Sequence, residues 1–300
     1  MKATAYPPLA SKYTGSAIVQ VHIAVVLFGL AGLFGKLLPF HPVEIVFGRA
    51  LFAAASLFLV LGMASHGARR RLRYDFLSIL LAGVLLAFHW VCFFRAIQIS
   101  TVAIGLVTFA SFPAFVTILE PLAFREKLRA IDLAVTALVI VGLAIIIPKA
   151  QPANPVTRGA LWGIASGGLF AVLSVINRSL IRRQGAIRIA AIENLVAAIV
   201  LFPLVSIRSA RPTATQWAEL AMLGIVCTAI AHALFIGSMS RLRAQAASIA
   251  AALEPVYGVV IAIIVLGEIP NWRTILGGAV VISAAILSGL TRVNGRRAGA

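Results

Sequence analysis

The chain has 300 residues, 61% of them hydrophobic and 12% charged, with a mean hydropathy of +1.02. These values exclude an ordinary soluble domain, in which roughly 45–50% of residues are apolar and about 25% charged. A formal charge of +17 would point to nucleic acid in a soluble chain. Here the Lys and Arg fall in short gaps between apolar runs, where they orient helices and meet anionic lipid headgroups, so the expected surroundings are a lipid bilayer and not nucleic acid.

The composition predicts an all-α polytopic membrane protein. Lys2 and Lys12 precede an apolar run from Ile18 to Phe34, longer than a signal-peptide core and without a small-x-small site straight after it, so an uncleaved first helix is expected. Runs near the ~20 residues needed to cross a bilayer fall at 17–37, 43–64, 75–97, 101–123, 130–148, 159–180, 187–207, 216–239, 244–266 and 272–290, giving ten predicted spans. The gaps between them leave no room for a soluble domain.

In chain order, the first span carries Gly29, Gly32 and Gly35, a spacing that lets helix backbones approach closely. Arg49 lies about six residues into the second, roughly 9 Å along at 1.5 Å per residue. Beyond the middle of the third come His89, Trp90, Phe93 and Phe94. Pro113 interrupts the fourth, which ends near Glu120 and Glu126. The gap from Pro148 to Arg158 is rich in proline and reads as an extended linker. The sixth span has Gly163 and Gly167 together with a polar stripe, Ser166, Phe170, Ser174 and Asn177, at i, i+4, i+8 and i+11 on one helix face. Glu193-Asn194 stands early in the seventh, at roughly the position Arg49 holds in the second. Thr228, His232 and Phe235 follow one another by about a turn in the eighth. The ninth contains Glu254-Pro255 and Tyr257 and ends near Glu268. Cys92 and Cys227 fall inside spans and define no disulfide framework.

The chain contains itself twice. Phe93 and Phe235, Ala110 and Ala252, Pro113 and Pro255, and Glu126 and Glu268 are all related by an offset of 142 residues. The expected units are a first five-helix repeat over 1–148, an external linker over 149–158 and a second five-helix repeat over 159–300. An odd number of spans per copy makes the second copy enter the membrane from the other side. With the N-terminus inside, eighteen basic residues fall on the cytoplasmic side, including Arg69, Arg70, Arg71, Arg73, Lys127 and Arg129. Only five, Lys149, Arg158, Arg208, Arg211 and Arg273, fall opposite. Both termini are therefore expected in the cytoplasm. Trp162, Trp217 and Trp272 lie near outer span ends, as an interfacial belt would place them.

Charges within a bilayer cost at least ~2.5–3.5 kcal/mol on insertion scales and are functional candidates by default. The Arg49 guanidinium suits a substrate carboxylate gripped by two donors; pairing with Glu44 or Glu254, or reaching toward the outer surface, is the structural reading. Glu254 is the acid placed deepest in the membrane and is the candidate for carrying a coupled proton; a structural ion pair or hydrogen-bonded acid is the commoner outcome for such a residue. Pro113 and Pro255 each remove a backbone donor and are expected to kink two symmetry-related helices that line a cavity. His89 and Trp90 offer an aromatic wall with a polar tip. Ser166, Phe170, Ser174, Asn177, His232 and Tyr257 complete the expected substrate-binding set; for His232 a hydrogen-bonded structural role is the commoner outcome. No Walker loop, metal-ligand spacing, His-Glu-x-x-His or Ser-His-Asp set occurs, so neither a cofactor, a metal nor enzymatic chemistry is expected.

Ten spans in two inverted copies, Val43-Glu44-Ile45-Val46-Phe47-Gly48-Arg49 early in the second, and a Pro-containing fourth or ninth that ends near a Glu resemble the drug/metabolite transporter superfamily, EamA type. The resemblance covers essentially the whole chain. It implies a monomeric carrier in a bacterial inner membrane that exports amino acids or related small metabolites by alternating access, with the YddG group of aromatic and neutral amino-acid exporters as its nearest branch. Two other readings stay open: efflux of hydrophobic drugs or cations, which Glu254 favours and Arg49 opposes, and a receptor or assembly subunit without flux, whose interior would be packed solid.

Overall fold

The structure, a computed structural model, describes residues 11–63, 75–125, 130–147, 151, 153–205, 212–242 and 244–297. Glu126, the basic clusters at 69–73 and 127–129, Lys2, Lys149, Arg208, Arg211 and Arg243 lie outside the described residues.

The elements are α1 (Ser11–Leu37), α2 (Pro42–Met63), α3 (Phe76–Ile99), α4a (Val102–Phe109) and α4b (Phe112–Phe124), α5 (Ala130–Ile146), α6 (Pro155–Gln184), α7 (Ala186–Leu201), α8a (Ala214–Gly224), a π-helical segment (Ile225–Ile230), α8b (Ala231–Ser238), α9a (Ala244–Ala251), α9b (Glu254–Leu266) and α10 (Trp272–Arg297). Apolar sequence makes these segments helical because lipid offers the backbone no hydrogen-bond partners. Seven of the described spans are long and apolar enough to cross a membrane, and three shorter apolar helices, Leu133–Ile146, Glu254–Leu266 and Trp272–Ala284, bring the count to ten. Start signals are local: Asn154 accepts from the Val156 amide ahead of α6, and Thr213 forms a capping box with Gln216 ahead of α8a. The outward faces are apolar, with Leu59, Leu77 and Ile264 exposed where lipid would contact them. Trp162, Trp217 and Trp272 are also exposed, whereas Trp90 is buried.

Packing repeats under exchange of the two copies. Helix α2 lies against α7, α5 against α10, and α4 against α9, each an element facing its own counterpart. The contact of α3 with α6 is matched by that of α8 with α1, and the contact of α4b with α6 by that of α9b with α1. Glycines set the closest approach: a Cβ on Gly29 would stand 2.9 Å from the Gly258 amide nitrogen, so α1 and α9b meet backbone to backbone. The glycine faces expected in the first and sixth spans thus pack inside the molecule, Gly32 on Leu106 and Gly167 on the Phe109 carbonyl.

The two proline-bearing helices are broken, which is more than the kink expected from their prolines. Each interruption comes two to three residues ahead of the proline, at Ala110–Ser111 and at Ala252–Leu253, and Pro113 and Pro255 each take the second position of the new half-helix. A missing proline N–H costs nothing there, since the first-turn amides have no partner inside a helix. Such breaks need cover from lipid, and the fourth span, 83% buried over its apolar window, has it. The second halves also end alike, in the left-handed region at Arg125 (φ 54°) and Gly267 (φ 65°), again 142 apart.

Candidate functional site

Between the copies lies a cavity lined by Phe28 and Ala31 of α1, Arg49 of α2, Leu86, His89, Trp90 and Phe93 of α3, Phe109 of α4a, Phe170 of α6, His232 of α8b and Glu254 of α9b. Six of the lining rings, those of His89, Trp90, Phe93, Phe109, Phe170 and His232, form one contiguous set: His89 stands 4.7 Å from Phe170 and 5.2 Å from Phe109 between ring centroids, and Phe109 in turn stacks on Phe112, behind the wall, at 5.1 Å. The wall is therefore mostly aromatic, with two ionisable groups of opposite sign set into it.

Arg49 is 1% exposed, and two groups hold it in place. Its Nε donates to Thr228 Oγ1 at 2.9 Å, and its guanidinium lies over the Trp90 ring at 3.9 Å from the centroid. Thr228 in turn donates to the Leu223 carbonyl, five residues back, inside the π-helical turn. The wider turn brings the Thr228 hydroxyl to face α2, a role typical of π segments at functional positions. Engaging Nε leaves the two terminal nitrogens of Arg49 for whatever enters the cavity. Glu254 opens α9b, where the half-helix dipole favours a carboxylate. Its carboxyl shares the cavity with Arg49, without a direct ion pair between them.

His89 is positioned from behind. Its Nδ1 lies 3.2 Å from the Ser166 carbonyl and 2.8 Å from Ser166 Oγ. A carbonyl can only accept, so Nδ1 carries the hydrogen and Nε2 is left as the acceptor of the ring. Ser166 thus acts on the wall through His89.

The structure divides the expected binding set. Arg49, His89, Trp90, Phe170, His232 and Glu254 come together on the cavity. Ser166 supports it from one layer out. Ser174 and Asn177, further along the same face of α6, are buried but line no part of the cavity; Asn177 lies instead beside Glu193. Tyr257, one turn beyond Glu254 on α9b, is half-buried against the core and lines no part of the cavity. Several residues escaped sequence reasoning. Phe28 and Phe109 gave no signal beyond hydrophobicity, and Thr228 had no reason to stand apart from other membrane threonines.

Two polar ties bracket the site. Glu268 accepts from the Val102 amide at 3.0 Å, capping α4a of the other copy, and Lys36 donates to the Ser100 carbonyl at 2.8 Å. Glu120, expected as a helix-end charge, is 1% exposed and pairs with Arg178, whose guanidinium also covers the Phe124 ring. Asp75 takes Arg183 at 2.9 Å and Gln184 at 2.8 Å.

Two copies of a five-helix unit, broken helices facing each other and a central aromatic cavity carrying unpaired charges define a membrane carrier. The chain belongs to the EamA-like transporter family, which it matches over residues 15–147 and 157–290. It is 25% identical over 97% of its length to the uncharacterized transporter YxxF of Bacillus subtilis, covering 94% of that protein. It is 26% identical over 82% of its length to an S-adenosylmethionine uptake transporter of Rickettsia bellii, covering 83% of that protein. A solved crystal structure, 18% identical, superposes with a TM-score of 0.70 over 92% of this chain and 98% of that one, and shows the shared fold. The protein is thus a multi-pass membrane transporter, and its family is one of transporters rather than enzymes.

Proposed function

We propose that the protein carries small zwitterionic metabolites, aromatic or neutral amino acids first among them, across a bacterial inner membrane by alternating access. The observation that carries this reading is the pairing, in one aromatic cavity, of Arg49 and Glu254 with no bond between them. Two opposite charges left apart across a small space suit a ligand with a carboxylate for one and an ammonium for the other. Arg49 supplies charge-assisted donors held by Thr228 and Trp90. Glu254, together with the free Nε2 of His89, supplies the acceptors. The rings of Phe28, Phe93, Phe109 and Phe170 then face the side chain, where large and flat groups gain most. S-adenosylmethionine, the substrate named for the Rickettsia relatives, has the same two features, an amino-acid end and an aromatic base.

Export is proposed from the family likeness, and cytoplasmic termini from the distribution of basic residues. The proposed unit is a monomer, with repeats over 1–148 and 159–300 joined by an external linker. A proton on Glu254 takes the place of the substrate ammonium, so that exchange at this carboxylate is the simplest route to coupling. The breaks at Ala110–Ser111 and Ala252–Leu253 are the flexing points. Efflux of hydrophobic cations is the second reading, favoured by the aromatic wall with Glu254; there Arg49 would be a liability.

The test is counterflow in liposomes preloaded with unlabelled phenylalanine, leucine or S-adenosylmethionine. Saturable accumulation of the labelled compound, weakened at least tenfold in Arg49→Ala, is expected. Absence of saturable flux for every amino acid would remove the zwitterion reading, and accumulation of tetraphenylphosphonium in its place would establish the second.

A further inference from the structure

Behind the His232 wall lies a second polar cluster that the substrate reading leaves unused. Glu193 and Asn194 of α7 are both 0% exposed, and Asn177 of α6 is 1% exposed. Glu193 Oε2 stands 3.3 Å from Nε2 of His232, and Asn194 Nδ2 stands 3.5 Å from Nδ1 of the same ring. His232 is thus straddled, an acid on one ring nitrogen and a carboxamide on the other. Both Glu193 oxygens, Asn194 Oδ1, Asn177 Oδ1 and Nε2 of His232 lack a hydrogen-bond partner of good geometry. Buried polar atoms without partners are rare and costly in folded proteins, and these five call for something that supplies hydrogens or positive charge.

We infer that Glu193 and His232 form a proton-binding pair, distinct from the substrate charges, that loads one proton as the carrier cycles. Without the proton, Glu193 is a carboxylate and His232 a neutral ring with its hydrogen on Nε2, 3.3 Å from Glu193 Oε2 but not aligned as a hydrogen bond in the present geometry, while Nδ1 accepts from the Asn194 amide; the pair carries one net negative charge. Adding one proton at Nδ1 makes an imidazolium facing a carboxylate, with no net charge. Asn194 then serves the new Nδ1–H by turning its amide, which brings the unpartnered Oδ1 to the ring in place of Nδ2. Asn194 Nδ2 donates to the Ala190 carbonyl at 2.8 Å in the present orientation, and that bond is what the turn gives up. One carboxamide can therefore satisfy either protonation state.

The pair can report to the cavity because His232 is part of its wall. The Trp90 ring meets His232 edge-on at 6.0 Å, and Arg49 lies on Trp90 at 3.9 Å. The ionisable groups nearest the pair on neighbouring elements are Arg49 from α2, His89 from α3, Cys227 from the π segment and Glu254 from α9b; α1, which also packs on α8b, carries the half-buried His22, and α6 and α7, packed on it too, carry Arg178, Arg182, Arg183 and Arg188 toward the ends where the two helices join. Arg49 opposes a second positive charge on His232, and Glu193 offsets it. A substrate carboxylate that neutralises Arg49 removes that opposition, so substrate entry and proton loading favour each other.

The transport half of this inference rests on the carrier reading above; the proton site does not. Nitrogen-15 spectra of the histidines in nanodiscs, with His232 assigned by its loss in His232→Gln, test the site directly. The His232 resonances are expected to titrate in a single step between pH 4.5 and 9, with a midpoint that moves by about one pH unit or more in Glu193→Gln. Asn194→Ala, which keeps the acid, is expected to move it by a smaller amount and serves if Glu193→Gln does not fold. A His232 signal that does not titrate, or that ignores both variants, overturns the proposal. In liposomes, wild-type counterflow is expected to change several-fold between pH 6 and pH 8, and the Glu193→Gln profile to be flatter. An unchanged profile, or flux that follows a sodium gradient and not pH, overturns the coupling. Loss of amino-acid flux in both proteins while His232 still titrates would instead remove the substrate reading alone.

Discussion

In α4 the chain breaks at Ala110–Ser111 and restarts with Phe112-Pro113; in α9 it breaks at Ala252–Leu253 and restarts with Glu254-Pro255, and the second halves end in the same left-handed backbone at Arg125 and Gly267. The backbones are alike, but what fills the first position after each break differs. Phe112 is fully buried, stacked on Phe109 at 5.1 Å and edge-on to Phe170 at 5.0 Å. Glu254 faces the cavity shared with Arg49. Duplication and proline placement thus set the architecture of the break, and one side chain beside each proline sets the chemistry. At this position the first copy presents a ring, and the second a charge.

Making the first copy like the second should have the largest effect. Phe112→Glu puts a carboxylate among aromatic rings with no cation beside it and deletes two ring contacts. An unpaired buried charge costs several kcal/mol, so little monodisperse protein is expected on size exclusion in detergent. A folded, transporting Phe112→Glu would show that the two breaks are interchangeable. The reciprocal change, Glu254→Phe, makes the second copy like the first. It should leave a folded molecule, since a ring at this position joins existing rings, but remove the acceptor for an ammonium. Losing a hydrogen bond to a charged group is worth about 1.5–3 kcal/mol, or about 10- to 100-fold in affinity. Calorimetric titration with the transported amino acid checks it, and full affinity would separate Glu254 from substrate.

Arg49→Lys asks for less. Charge is kept, but the planar stacking on Trp90 and the fork of donors are lost. A roughly tenfold weaker Kd is expected, with the protein's thermal midpoint little changed. Equal affinity would mean that Arg49 acts as a point charge, and the cavity geometry would matter less than its sign.

What the sequence made legible follows from which forces are local. Apolar runs and the 142-residue offset are written in composition, so ten spans and two copies could be read directly. Arg49 and Glu254 stood out because charge within lipid is costly wherever it sits. The polar stripe of α6 was legible as one face, yet not its division: Ser166 against His89, Phe170 on the cavity, Asn177 beside Glu193, and Ser174 buried off the cavity. A helical face says which residues share a direction, and the neighbouring helices decide what each level meets. Glu120 does lie near the end of its helix, but its burial and its partner were not legible for the same reason, because Arg178 lies 58 positions away on α6. The breaks were visible only as prolines, since the interruption itself falls on Ala110–Ser111 and Ala252–Leu253, residues with no breaker signal of their own.

The smallest expected effect tests the support of Arg49. The π segment has no counterpart break in α3, its repeat partner, which runs unbroken from Phe76 to Ile99. It exists beside the one arginine in the cavity, and Thr228 joins the two, donating to Leu223 and accepting from Arg49 Nε. Thr228→Val keeps the shape and removes both bonds. A hydrogen bond to a charged group sets the scale at about 1.5 kcal/mol, so roughly a tenfold weaker Kd is the upper end of the expectation. If Arg49 is held chiefly by Trp90, Thr228→Val leaves substrate affinity unchanged and lowers only the thermal midpoint. If the π turn serves to aim the guanidinium, affinity falls while Thr228→Ser, which keeps the hydroxyl, restores it. The pair of variants therefore decides whether the second copy's departure from helical regularity belongs to binding or to packing.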